Sequence, residues 1–159
     1  MWTTIDSPVG PLRLVEEHGS ISAIEFHPFR ETDEGLLGAR DDDHPLLREC
    51  ARQLAEYFAG ERTEFDLPLA PAGTEFQQRV WKELLVIGHG RTATYGEIAG
   101  RLGLTGHGAR AVGLANGRNP IPIVIPCHRV VGAKGTLTGY AGGVERKQVL
   151  LDLESGSLF

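Results

Sequence analysis

The run Ile125-Pro126-Cys127-His128-Arg129-Val130 sets a thiol directly before an imidazole and a guanidinium, behind a proline that restricts the backbone. The thiolate is the nucleophile, and a free thiol with a pKa of about 8.5 is only slightly ionised at neutral pH; a base or cation beside it raises that share. His128 and Arg129 are each able to do this, so Cys127 is the candidate reactive residue. The other cysteine, Cys50, falls on the apolar stripe Leu47, Cys50, Leu54, Phe58 of a helical pattern and reads as a small buried hydrophobe. Two cysteines in such different settings do not suggest a disulfide, and free thiols in a reducing compartment are expected. A Cys-His pair alone leaves the reaction open, because adjacent side chains often point apart.

The rest of the 159-residue chain has the composition of a globular domain, with 41% hydrophobic and 23% charged residues. No apolar run is long enough to span a bilayer, and the N-terminal residues lack the order of a signal peptide, so no membrane association and a cytoplasmic location are expected. The net charge of −5 argues against a polyanionic partner, but its distribution argues for one. Met1 to Ile87 carries eight Arg/Lys against seventeen Asp/Glu, whereas Gly88 to Gln148 carries eight against two. A basic second half joined to an acidic first half fits a localised nucleic-acid face.

The elements that must position Cys127 follow from periodicity and punctuation. Trp2 to Asp6, Leu12 to Leu14 and Ile21 to Phe26 read as short strands, with a hairpin turn at His18-Gly19-Ser20. Arg30 to Asp43 is polar and reads as a loop. His44 to Ala59 predicts an amphipathic helix stopped by Gly60, and Phe65 to Leu69 a further strand. Beyond residue 72 the pattern turns helical. Thr74-Glu75-Phe76-Gln77 and Thr94-Tyr95-Gly96-Glu97 both have the form of a capping box opening a helix. A third helix of small residues runs from Ala109 to about Asn116 after the Thr105-Gly106-His107-Gly108 connection, and a last one from Val144 to Glu154. Two short helices around a glycine-containing turn form a helix-turn-helix candidate.

The flanks of the cysteine carry more information than the pair itself. Asn119-Pro120-Ile121-Pro122-Ile123-Val124-Ile125-Pro126-Cys127-His128-Arg129-Val130-Val131-Gly132 resembles the active-site signature of the O6-alkylguanine-DNA alkyltransferases. Gly73 to Trp81, Thr94 to Ala99, Ala109 to Gly113 and Gly139-Tyr140-Ala141-Gly142-Gly143 match further segments of that family, in its order and spacing. The likeness is strong over residues 73 to 155 and loose before them. It implies an α+β fold in two domains. Residues 1–72 would be a small α/β domain of antiparallel strands, ribonuclease H-like, and residues 73–159 a mostly helical DNA-binding and alkyl-acceptor domain with a helix-turn-helix.

The resemblance also implies roles. Cys127 would attack the alkyl carbon on guanine O6 and keep it as a thioether, a single-turnover, direct-reversal repair reaction with O4-alkylthymine as a second expected substrate. His128 would remove the thiol proton through a bridging water, Glu154 would orient His128, and Asn119 would hold the backbone of the active-site turn. Tyr95 would hydrogen-bond the leaving base at N3. The carbonyls of Cys127 and Val130 would take its exocyclic amine, with Tyr140 beside it and the amide of Ala141 facing O6. Many relatives have serine where Ala141 stands, and the main-chain donor survives that change. A stacked base is out of reach, so the nucleotide must flip; Arg110 would fill its place while small Ala109 and Ala111 let the helix enter the minor groove. Arg118, Arg101 and Lys147 are expected phosphate contacts.

No cofactor is expected. No metal is expected either, since Cys50, His18, His27 and His44 lack ligand-like spacing. The implied partner is double-stranded DNA containing O6-alkylguanine, bound by a protein expected to be a monomer in solution, with cooperativity on DNA left open. Other readings share parts of this pattern: a non-catalytic module that recognises alkylated DNA, a helix-turn-helix regulator, or a Cys-His hydrolase. The first lacks the acceptor cysteine, the second fits poorly with an acidic chain, and the third leaves Arg110 unexplained.

Overall fold

The computed structural model describes residues 1–30, 34–137, 140 and 142–156. They fall into two compact units, Met1–Ala72 and Gly73–Phe159.

The first unit is built on an antiparallel sheet of order β1-β2-β3, with β1 at Trp2–Ile5, β2 at Leu12–Glu17 and β3 at Ser20–Phe26. The β2–β3 hairpin turns at His18 and Gly19, whose φ values of 51° and 83° are those a tight hairpin demands. Along β2 burial does not alternate, since Leu12 to Glu16 are all buried. Arg13 reaches this state by giving its guanidinium to Glu25 at 2.6 Å and lying 5.1 and 5.7 Å from the rings of Phe29 and Trp2. The loop expected over Arg30–Asp43 contains one helical turn, α1 (Glu34–Leu37), and Arg40 bridges to Trp2; residues 31–33 lie outside the described residues.

Helix α2 (Pro45–Phe58) covers the sheet. His44 caps it, Nδ1 accepting from the Leu46 amide at 3.2 Å, and Cys50 lies fully buried on its inner face with Leu47, Leu54 and Tyr57. The strand expected over Phe65–Leu69 is a correction. Only Leu69 bridges, to Ile21, with the Ala70 amide donating to the Ile21 carbonyl; Pro68, the preceding position that would donate toward β3, has no N–H.

The second unit is mostly helical: α3 (Glu75–Leu84), α4 (Tyr95–Arg101), α5 (Gly108–Gly117) and α6 (Val144–Ser155). Both capping boxes form. Thr74 and Gln77 exchange bonds at the start of α3, and Thr94 and Glu97 do so at the start of α4. Helix α5 packs on α3 and α4, and its core contact includes a bond from Trp81 Nε1 to the Ala115 carbonyl at 2.9 Å. A two-residue parallel pairing joins β4 (Ala93–Thr94) to β5 (Val130–Val131) and was not legible in the pattern. No helix among the described residues is long and apolar enough to cross a membrane.

Candidate active site

Cys127 opens a 3₁₀ turn, Cys127–Arg129, that leads into β5. The approach to it is a tight turn with almost no side-chain exposure from Ile121 to Ile125. Asn119 holds this turn from within: its Nδ2 donates to the Ile125 carbonyl at 2.8 Å and its Oδ1 accepts from the Ile121 amide at 3.0 Å. At the bend Ile123 has φ of 74°, a left-handed conformation that a β-branched residue adopts only under constraint. The backbone is thus bent against local preference to deliver the thiol.

Cys127 is 3% exposed. Burial pushes its thiol up to about 11, while the Asn119 side chain, the Lys147 charge, the Cys127 amide and the Tyr140 side chain all favour the thiolate. The thiol is therefore protonated near neutral pH. His128 follows it in the chain. Its Nε2 meets Glu154 Oε2 at 2.7 Å, and a carboxylate there fixes Nε2 as the donor. Nδ1 is then the acceptor, and it is buried without a hydrogen-bond partner among the described residues. Burial lowers the pKa of His128 despite Glu154, which keeps the ring neutral and able to accept.

Arg129 is the first departure from expectation. It does not lie with the thiol: Nε and Nη2 grip the two oxygens of Glu154 at 2.8 and 3.0 Å, and Nη1 donates to the Ile87 carbonyl at 2.6 Å. Its charge steadies the carboxylate that steadies the histidine. Lys147 is the second correction. Expected as an exposed phosphate contact, it is fully buried, with Nζ donating to the Val130 carbonyl at 2.6 Å and lying 5.9 Å from the Tyr95 ring centroid. A lysine one turn into a helix reads as surface in sequence; the closed packing around Cys127 is what turned it inward.

The remaining expected residues divide by position. Tyr95, first in α4, follows directly on β4, the strand that pairs with β5, and Tyr140 is buried. Val130 begins β5, and its carbonyl is engaged by Lys147. Ala141 lies outside the described residues. Arg110 and Ala109 are exposed and Ala111 half-buried on α5; Arg118 and Arg101 are exposed. Asn116, absent from the expected set, donates from Nδ2 to the Cys127 carbonyl at 3.2 Å, which also takes the Val130 amide. Its only sequence signal was an amide on the inner face of a small-residue helix. Among the described residues, no cluster of three or more His, Cys, Asp or Glu is arranged to hold a metal ion.

Two family models match the chain. That of the ribonuclease-like domain of 6-O-methylguanine DNA methyltransferase spans residues 1–71, and that of the DNA binding domain spans residues 75–156. The chain belongs to the 6-O-methylguanine DNA methyltransferase family. Within that methyltransferase family, a methylated-DNA–protein-cysteine methyltransferase from Mycobacterium bovis is 53% identical over 96% of this chain and 91% of its own. One of that name from Methanosarcina acetivorans is 46% identical over 96% and 97%. The crystal structure of the Mycobacterium tuberculosis O6-methylguanine methyltransferase superposes with a TM-score of 0.88 at 49% identity, covering 99% of this chain and 94% of that one. A Mycobacterium tuberculosis relative solved in complex with DNA gives 0.84 at 50% identity, over 98% and 93%.

Proposed function

We propose that this methyltransferase removes alkyl groups from O6 of guanine, and from O4 of thymine, in duplex DNA by moving them once per molecule onto Cys127. Direct-reversal repair of methylated DNA by transfer to a protein cysteine is the activity of the family to which the chain belongs, and DNA is its partner. The observation that carries the assignment to these residues is the buried Cys127 beside a His128–Glu154 pair whose remaining ring nitrogen is an open acceptor.

In this reading His128 Nδ1 takes the thiol proton through one water, and Cys127 Sγ forms a bond to the alkyl carbon as the carbon–O6 bond breaks. The electron pair leaves with the base, where the Tyr95 hydroxyl donates a proton at N3, and Ala141 offers its amide toward O6. Asn119 maintains the turn that aims the thiol, and Tyr140 flanks the base. The thioether that forms is a stable alkyl–sulfur bond, so the acceptor is consumed. Helices α4 and α5 act as a helix-turn-helix, α5 entering the minor groove with Ala109 and Ala111 allowing close approach, Arg110 replacing the flipped nucleotide and Arg118 meeting phosphate. Residues 73–159 carry DNA binding and transfer, and residues 1–72 form a separate α/β domain. The protein acts as a monomer, and a reactive thiol fits a reducing compartment such as the cytoplasm.

Intact-mass measurement after mixing with a duplex containing O6-methylguanine tests this. One added methyl per chain, on Cys127, is expected, and no further reaction after one equivalent. Repaired DNA with unmodified protein would refute it. Cys127→Ser is expected to abolish transfer and retain binding, and Arg110→Ala to slow transfer from duplex more than from the free modified base.

A further inference from the structure

Asn116 sits in the last turn of α5 and is 2% exposed. Its bond to the Cys127 carbonyl decides which way the amide faces, because a carbonyl only accepts and the atom turned toward it must be Nδ2. Oδ1 therefore points elsewhere, and it is buried without a hydrogen-bond partner among the described residues. Proteins seldom leave a buried acceptor unpaired, and those that remain call for an explanation.

The surroundings suggest what pairs with it. One turn earlier on the same helix, a Cβ on Gly113 would lie 3.8 Å from the Tyr95 ring, so the inner face of α5 abuts that tyrosine. Asn116 thus belongs to the stretch of wall that runs from Tyr95 to Cys127. In guanine the exocyclic amine is carried by the carbon next to N3, on the same edge of the base. A base whose N3 meets Tyr95 and whose O6 substituent meets the thiol presents that amine to this wall. The carbonyls expected to receive it already have donors: Cys127 takes Asn116 and the Val130 amide, and Val130 takes the Lys147 ammonium. Oδ1 of Asn116, by contrast, is a buried acceptor with no hydrogen-bond partner among the described residues.

We propose that Asn116 is a substrate-binding residue whose Oδ1 accepts a hydrogen bond from the exocyclic amine of the flipped guanine. The inference rests on the alkyl-transfer reading above and adds a base-reading contact to it. With its amide nitrogen on the Cys127 carbonyl and its oxygen on the base, one side chain couples the position of the thiol to the identity of the base.

Two duplexes differing only in that amine, one with O6-methylguanine and one with O6-methylhypoxanthine, provide the test through their second-order rates of methyl transfer. The wild-type chain is expected to favour the amine-bearing base by about tenfold, the order of one buried hydrogen bond. Asn116→Leu is expected to reduce that preference to within about twofold, whatever rate it loses on both substrates in common. Asn116→Ala is expected to do the same and serves if the leucine variant does not fold, each variant being checked by its thermal melt. A variant that slows both substrates equally, leaving the preference intact, would make Asn116 merely structural and overturn the proposal, as would a wild-type chain without the preference. Failure of the wild-type chain to take methyl from O6-methylguanine at all would defeat the alkyl-transfer reading itself.

Discussion

His128 and Arg129 are neighbours in the chain and converge on one carboxylate, yet they do different work. The imidazole spends one nitrogen on Glu154 and keeps the other for a proton, whereas the guanidinium spends its fork on Glu154 and its last nitrogen on the Ile87 carbonyl. A charge pair this deeply buried is sensitive to loss of one member, because the other is stranded away from water. Arg129→Met is expected to lower stability by about 3–5 kcal/mol in urea unfolding. Arg129→Lys should recover less than half of that, since an ammonium cannot make the bidentate grip and the bond to Ile87 together. A loss below about 1 kcal/mol for Arg129→Met would mean that Glu154 is held mainly by other groups.

At the scale of elements, placement of the chemistry depends on helix starts and close helix contacts. Thr94 ends β4 and caps α4, so a single residue ties Tyr95 both to the helix and to the strand that pairs with β5. The start of α5 lies so close to α4 and to the connection between them that a Cβ on Gly108 would stand 2.7 Å from Leu104 Cβ in that connection and 3.3 Å from Ala99 Cβ in α4. These are backbone-anchored atoms and cannot swing aside. Gly108→Ala is therefore expected to cost about 1–3 kcal/mol by overpacking and to move α5 on α4. DNA affinity in a binding titration should fall with it, while transfer from the free modified base should change less; unchanged stability would show that the two helices separate without strain.

Across the whole molecule the two cysteines report on the two units. Cys50 in the first is pushed up to about 12 and Cys127 in the second to about 11, both by burial, from 9.0. Raised folded-state values mean that the folded chain holds its protons more tightly than the unfolded chain. The stability they contribute is complete below pH 9 and is lost as pH rises from there toward the folded values. Thermal melts between pH 8 and about 10.5 should show this decline. Cys50→Ala should lower the melting temperature at pH 8 through lost packing, yet flatten the alkaline slope; an unchanged slope would deny Cys50 its share. The charge asymmetry also belongs to this scale: exposed Arg101, Arg110 and Arg118 all come from the basic half of an acidic chain.

Much of the site was legible in the residues. The signature around Cys127 and its ordered satellites identified the family, and both capping boxes marked helix starts to the residue, because a side chain satisfying an amide three positions on is a local event. The hairpin at His18-Gly19 and the stop at Gly60 were local in the same sense. What escaped were features made by residues distant in sequence. The β4–β5 pairing is two residues long and leaves no periodicity, and Lys147 and Arg129 carry charges whose inward direction depends on carbonyls and a carboxylate supplied by other segments. Asn116 is an ordinary helix residue until Cys127 is placed beside it. The sequence by itself thus determined which chemistry the chain performs, since reactive groups and turn residues declare themselves locally. Tertiary structure alone decided how the thiol at Cys127 is surrounded, because burial, charge pairing and hydrogen-bond satisfaction exist only once distant segments exclude water together.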